Sequence, residues 1–251
     1  MAQPTALMRA VIWPTPFDYG HAWLVQRELH RLVRQGQAPP TLLLLEHPPT
    51  YTMGRRGGWH HLQTPAQSLA KVGYAFWHSD RGGDITYHGP GQLVGYPILP
   101  IAQWGLDVRT YVRLLENVLM ESLRHFDIES HREDDFPGLW CGFNKIAAIG
   151  VRIAEGVSMH GFALNVAPNL KDFEHIIPCG LHGRGVTSMA QSAPDTATIS
   201  TVAPLVASRL ADALQCPCLF AEAKDLPSVS PEDLESLARE ARWDPAQQHP
   251  G

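Results

Sequence analysis

The stretch that decides the fold is Lys145-Ile146-Ala147-Ala148-Ile149-Gly150-Val151-Arg152-Ile153-Ala154-Glu155-Gly156-Val157-Ser158-Met159-His160-Gly161-Phe162-Ala163-Leu164-Asn165-Val166. Two long apolar runs, Lys145 to Ile153 and Val157 to Val166, flank Glu155-Gly156, a dipeptide suited to the positive φ angles of a tight hairpin turn. An antiparallel strand pair is predicted there, with Leu139-Trp140-Cys141 as a short strand ahead of it. Upstream, Asp107 is placed to cap a helix whose apolar face is Val108, Tyr111, Leu114, Leu115, Val118, Leu119 and Phe126. Thr41 to Glu46 carries four consecutive leucines and reads as a strand buried on both faces. Further strands are predicted at Ala10 to Trp13, Thr50 to Met53, Tyr74 to His78 and Leu93 to Leu99. Helices are predicted from Asp18 to Gly36 and over Val202 to Leu214, and a last one after Ser230-Pro231 carrying Leu234, Leu237, Ala238 and Ala241. Hairpins mixed with helices point to an α+β fold with a mixed, largely antiparallel sheet and flanking helices. Gln191 to Thr196 and Cys216 to Val229 are the candidate linkers.

Composition excludes several classes. A chain of 251 residues, 44% hydrophobic and 18% charged, can bury a full core. No run approaches the roughly 18 apolar residues a membrane span needs, and the start shows no basic region followed by an apolar one. A cytoplasmic location is therefore expected. The formal charge of −5 argues against general nucleic-acid binding, though a local basic patch remains open to an acidic protein partner. Cys141, Cys179, Cys216 and Cys218 form neither a disulfide framework nor a zinc ribbon. With 13 histidines scattered along the chain, no metal site is expected.

The residues with chemical potential lie outside the plain fold pattern. Arg81-Gly82-Gly83-Asp84-Ile85-Thr86-Tyr87-His88-Gly89-Pro90-Gly91-Gln92 frames a short strand with glycines, either as turn punctuation or to let a ligand approach the main chain. Cys179, between Pro178 and Gly180, is either presented on a loop as a nucleophile or is a small buried hydrophobe. Lys145, at the mouth of an apolar strand, is a solvated strand end or a semi-buried functional amine. His88 and His160 each satisfy backbone groups or orient a substrate.

Taken in order, these pieces resemble the octanoyl-[acyl-carrier-protein]:protein octanoyltransferases of lipoyl cofactor biosynthesis. The matching signatures are Arg81 to Gln92, Lys145 to Arg152, Met159 to Val166, and Pro178-Cys179-Gly180 with Gly185-Val186-Thr187-Ser188. The resemblance runs from about Val11 to Leu214 and implies a catalytic domain over residues 8–220, of the biotin and lipoate protein ligase fold, followed by a helix-bearing extension over 221–251.

It further implies that Cys179 carries the acyl group as a thioester and that Lys145 lowers its pKa. Arg81, Gly82, Gly83, Asp84, Ile85, Thr86, Tyr87 and His88, with Ala148, Ile149, Gly150, Gly161, Phe162 and Ala163, would line the acyl substrate. Backbone N–H groups near Gly161 or Cys179 would hold the oxyanion. Octanoyl acyl carrier protein would be the donor; lipoyl domains of 2-oxoacid dehydrogenase complexes and the glycine cleavage H protein would be the acceptors, with no cofactor. Arg55, Arg56, Arg81, Arg152 or Arg184 would supply the patch that meets the acidic carrier. The alternatives are an ATP-dependent lipoate protein ligase, an octanoyl amidotransferase, and a module that binds lipoyl domains without catalysis.

Overall fold

The computed structural model describes residues 7–177, 184–193 and 196–243. Its strands are β1 (Met8–Ile12), β2 (Thr41–Leu45), β3 (Thr50–Met53), β4 (Ala75–His78), β5 (Thr86–His88), β6 (Gln92–Ile98), β7 (Gly138–Cys141), β8 (Asn144–Ala154), β9 (Val157–Asn165) and β10 (Cys218–Ala221). The larger sheet has the order β10-β1-β2-β6-β9-β8-β7, the smaller β4-β3-β5. β1 runs parallel to both β2 and β10, and β3 parallel to β4. The remaining neighbours are antiparallel, so the sheet is mixed and largely antiparallel.

The hairpin forms at the predicted place. Glu155 and Gly156 both take positive φ, 49° and 80°, which matches the right-handed twist of the strands they join. Ala154 then faces Val157, and pairing continues up to Ala147 with Leu164. In β2 the four leucines divide between two cores: Leu42 and Leu44 pack on one face of the sheet, Leu43 and Leu45 on the other. Each is worth about 2 kcal/mol of burial, which is why an uninterrupted apolar run suits this central strand.

The helices are α1 (Tyr19–Arg34), α2 (Ala66–Lys71), α3 (Val108–Arg124), α4 (Ile199–Leu214) and α5 (Pro231–Ala241). Asp107 caps α3 in a capping box with Thr110, and Ser230 caps α5 through the Asp233 N–H. One face of the large sheet is covered by α3 and α4, through residues such as Leu115, Leu119, Val206 and Leu210. The other is covered by α1 and α5, through Trp23, Val25, Leu29, Leu237 and Ala241. The small sheet builds a third cluster from Tyr51, Phe76, Ile85, Tyr87 and Phe173.

The structure corrects the reading of Cys216 to Val229 as a linker. Cys218–Ala221 is the edge strand β10, parallel to β1 and four residues long. So short a run, preceded by Pro217 and with Leu219 and Phe220 exposed, has no alternation to announce it. The six-residue α2 was likewise not foreseen.

Candidate active site

A cavity of about 320 Å³ lies between the Arg81–His88 segment and the β8–β9 hairpin, with Tyr19 of α1 joining its wall. Strand register gives the cavity a long axis. Lys145 and Gly150 both line it, and the five residue steps of β8 from one to the other span about 16 Å. Gly150 faces Gly161 across the hairpin, with His160 beside it, so these residues mark the end remote from Lys145. Gly161 is therefore not at the lysine end, and the expectation that its backbone N–H serves the reacting carbonyl there is not supported by the register. Among the lining residues, Val186 bridges Lys145 and Pro137 accepts a hydrogen bond from its amine.

Lys145 is buried, 7% exposed. Its Nζ donates to the Pro137 carbonyl at 3.3 Å and stands 5.0 Å from the Trp140 ring centroid. Its main chain is held on both sides by the segment that follows Cys179 in sequence. The Lys145 N–H donates to the Gly185 carbonyl, and the Thr187 N–H donates to the Lys145 carbonyl, each at 3.0 Å.

The glycine-rich segment forms the opposite wall because its main chain crosses close to β8. The Gly82 N–H donates to the Val151 carbonyl at 3.0 Å, and a Cβ on Gly150 would stand 2.9 Å from the Gly82 oxygen. Gly83, at φ +92°, turns the chain where a side chain would be strained. Arg81 is buried and acts as a girder. Its Nη2 donates to the carbonyls of Thr52 and Asp84, both at 2.7 Å, and its Nη1 to the Gly82 carbonyl at 3.1 Å. Arg81 is thereby removed from the set of arginines that can meet a partner at the surface.

Thr86 and His88 line the cavity, whereas Tyr87, between them on β5, faces the other way, as strand alternation requires. Its hydroxyl donates to Asp172 Oδ2 at 2.7 Å, beside the Tyr74 hydroxyl on Oδ1. Tyr87 and Gly82 do not line the cavity, in contrast to the sequence expectation. The lining does include the expected Arg81, Gly83, Asp84, Ile85, Thr86, His88, Lys145, Ala148, Ile149, Gly150, Gly161, Phe162 and Ala163. Cys179 lies outside the described residues.

His88 was expected in the lining, and Gln92 and Asn165 fall within the quoted signatures, but the bonding that joins them was not foreseen. The His88 Nδ1–H donates to Gln92 Oε1 at 2.8 Å, Gln92 Nε2 donates to Asn165 Oδ1 at 3.0 Å, and Asn165 Nδ2 donates to the Thr187 carbonyl at 3.0 Å. This chain of bonds ties the glycine-rich wall to the segment beside Lys145. Burial holds the His88 pKa well below its ordinary value, with His47 and Arg81 adding to the effect, so the ring is neutral. His47, also buried, is held down to about 4. Its Nδ1–H donates to the Phe17 carbonyl, and its Nε2 accepts from the Tyr96 hydroxyl at 2.7 Å.

His160, 1% exposed, adopts φ +54°, a conformation a non-glycine residue holds only where its surroundings enforce it. Its backbone N–H donates to Gln26 Oε1 at 2.8 Å and its ring Nε2–H to Asp80 Oδ1 at 2.6 Å. Burial lowers the His160 pKa against the pull of Asp80. The signals that existed for these residues were Gln92 and Asn165, amides at the ends of otherwise apolar strands.

Among the arginines expected to form a docking patch, Arg152 pairs with Asp80, and Arg184 pairs with Glu133 and stacks 4.7 Å from the Trp140 centroid. Arg55 and Arg56 are exposed, and Arg56 lines the cavity. Burial raises the pKa of Cys141, Cys216 and Cys218, which leaves these thiols protonated at neutral pH. Among the described residues no cluster of three or more His, Cys, Asp or Glu is placed to hold a metal ion, and no helix is long and apolar enough to cross a membrane.

Residues 18–211 match the family of the lipoyl protein ligase A/B catalytic domain. An octanoyltransferase from Gloeobacter violaceus is 42% identical over 209 residues, 83% of this chain and 91% of its own. The chain belongs to this family, among its octanoyltransferases. An octanoyltransferase from Roseiflexus sp. is 47% identical over 189 residues, covering 74% of this chain and 79% of that one. In fold, the chain is similar to a putative lipoate protein ligase from T. acidophilum with bound lipoic acid. The TM-score is 0.68 at 17% identity, over 93% of this chain and 94% of that one. P. falciparum LipL1 in complex with lipoate gives a TM-score of 0.69 at 10% identity, over 92% and 70%. These two likenesses establish the lipoate-ligase fold.

Proposed function

We propose that the chain moves an octanoyl group from octanoyl acyl carrier protein to the target lysine of lipoyl domains, in the cytoplasm, through a thioester on Cys179. Lipoyl domains of 2-oxoacid dehydrogenase complexes and the glycine cleavage H protein are the acceptors. The observation that carries this reading is the mostly apolar cavity with a buried Lys145 at one end, in a chain whose relatives are octanoyltransferases.

The chemistry follows from the residue types. A thiolate at Cys179 attacks the thioester carbonyl carbon; the new C–S bond replaces the bond to the carrier arm, which leaves as a thiol with a proton delivered from Lys145. An ammonium within about 4 to 6 Å favours that thiolate by opposite charge. The lysine amine of the acceptor then attacks the acyl-enzyme. An amide forms, the Cys179 thiolate departs, and the neutral Lys145 amine takes the proton lost by the incoming nitrogen. Exchange of one thioester for another is nearly balanced, and amide formation drives the second step without a nucleotide. The pairing of Gly185 and Thr187 with Lys145 supports the approach of the cysteine segment, since it ties the chain following Cys179 to the lysine.

Ala148, Ile149, Phe162 and Ala163 give the acyl chain an apolar bed, and Gly150 and Gly161 add main chain to the lining at its far end. Arg55 and Arg56 are the arginines left to receive an acidic carrier at the rim. The test is donor choice. Octanoyl acyl carrier protein supports transfer to a lipoyl domain without ATP. Transfer that requires free octanoate and ATP, or that uses only an octanoylated lipoyl protein as donor, assigns the chain to a ligase or an amidotransferase instead.

A further inference from the structure

Besides packing on α1, which carries the lining residue Tyr19, the C-terminal segment reaches the cavity wall through a short stretch, Trp59 to Gln63. That stretch has little core of its own: its 3₁₀ turn, Trp59–His61, buries none of its residues. It is held from two directions. On the cavity side, the Gln63 N–H donates to the His175 carbonyl and the Ile177 N–H to the His61 carbonyl, both at 2.8 Å, and Leu62 bridges Ile176. His61 Nδ1 also lies 2.6 Å from Oδ2 of Asp84, a residue of the cavity lining.

On the opposite side stands the chain that follows α5. The Trp243 ring stacks on Trp59 with centroids 4.2 Å apart and planes 12° from parallel, and it meets Phe76 edge-on at 5.2 Å. The Trp243 N–H donates to the Phe76 carbonyl at 3.1 Å, and Arg242 bridges Trp77. Residues 242 and 243 thus pair with β4, one of the two outer strands of the small sheet, and cover an edge that would otherwise offer unpaired backbone groups. Trp59 is fixed in orientation by a bond from its Nε1–H to His78 Nε2 at 2.9 Å.

We propose that Trp243 is a positioning residue for acyl transfer: by clamping Trp59, it holds Trp59–Gln63 against His175–Ile177 and Asp84 and so sets the shape of the cavity rim. The strap lies beyond residues 18–211, the part matched by the family, and adds to that domain a means of tuning donor binding. A stretch with few buried contacts opens readily, and a stacked aromatic pair is a direct way to suppress the opening. The proposal rests on the octanoyl-transfer reading for its kinetic consequence only; its structural consequence is independent of it.

The experiment compares the full chain with Trp243→Ala and Trp243→Phe by amide hydrogen exchange and by steady-state transfer of octanoyl from acyl carrier protein. In Trp243→Ala, exchange at the Gln63 and Ile177 amides rises at least about tenfold while the β8–β9 amides keep their protection. The KM for the donor rises several-fold with kcat within about twofold, and Trp243→Phe restores both. Unchanged exchange at Gln63 and Ile177 overturns the proposal. So does a rise shared equally by β8 and β9, which assigns Trp243 to global stability alone, or a KM that does not move. A full chain that transfers no octanoyl group refutes the assigned reaction, and the exchange comparison still decides the strap.

Discussion

Replacing Arg81 separates a girder from a docking residue. Arg81→Met keeps most of the buried stem but deletes the donors to the Thr52 and Asp84 carbonyls at 2.7 Å and to the Gly82 carbonyl at 3.1 Å. A buried carbonyl left without a donor costs about 1 to 3 kcal/mol, and two short bonds are lost together. Part of that is recovered because a cation no longer has to be desolvated, which places the loss at about 2 to 4 kcal/mol. Arg81→Lys falls between, since a single ammonium does not reproduce the planar fork that reaches the Thr52, Asp84 and Gly82 carbonyls and the Thr52 hydroxyl. Arg55→Met, at an exposed position, changes stability by less than about 0.5 kcal/mol. Urea unfolding followed by circular dichroism measures all three, with the midpoint read at constant m. An Arg81→Met chain within about 1 kcal/mol of the parent refutes the girder assignment.

Charge reversal of both Arg55 and Arg56 weakens binding of an acidic carrier by about tenfold at low salt, and the difference fades as added salt shortens the screening length below about 10 Å; surface binding measurements across a salt series check this, and a salt-independent difference counts against docking there. His47 makes stability depend on pH. Its folded pKa of about 4 lies below the unfolded value of about 6.5, so the unfolded chain binds the extra proton between them. Stability is full above about pH 6.5 and falls by about 3 kcal/mol as pH drops through 4, with buried His88 adding in the same direction; unfolding midpoints from pH 7.5 to 4.5 check the slope, which His47→Gln flattens. Gly150→Ala puts a Cβ 2.9 Å from the Gly82 carbonyl oxygen, so the glycine-rich wall is pushed off β8. A loss of about 1 to 3 kcal/mol and a raised donor KM are expected from unfolding and rate measurements.

The hairpin was legible because Glu155-Gly156 is a local signal, and β2 because four leucines leave it no exposed face. Lys145 and the small residues Ala148, Gly150, Gly161 and Ala163 were found through ordered signatures that share one cavity once β8 and β9 pair. Tyr87 shows what a continuous motif conceals. In Thr86-Tyr87-His88 the two-residue period of a strand turns the middle side chain to Asp172, and no glycine spacing reveals that. Tyr19, Tyr96, Phe173 and Val186 come from a helix, a strand, a 3₁₀ turn and a loop far apart in sequence, so only the folded arrangement brings them to the wall. The five arginines looked alike as charges; burial and ion pairing then set Arg81, Arg152 and Arg184 apart from Arg55 and Arg56.

Whether Cys179 carries the acyl group is decided by intact mass after mixing the chain with octanoyl acyl carrier protein, without acceptor. A single octanoyl group is expected to add, absent in Cys179→Ala and formed more slowly in Lys145→Met. An adduct that persists in Cys179→Ala, or transfer to a lipoyl domain that proceeds at the parent rate in that variant, contradicts it.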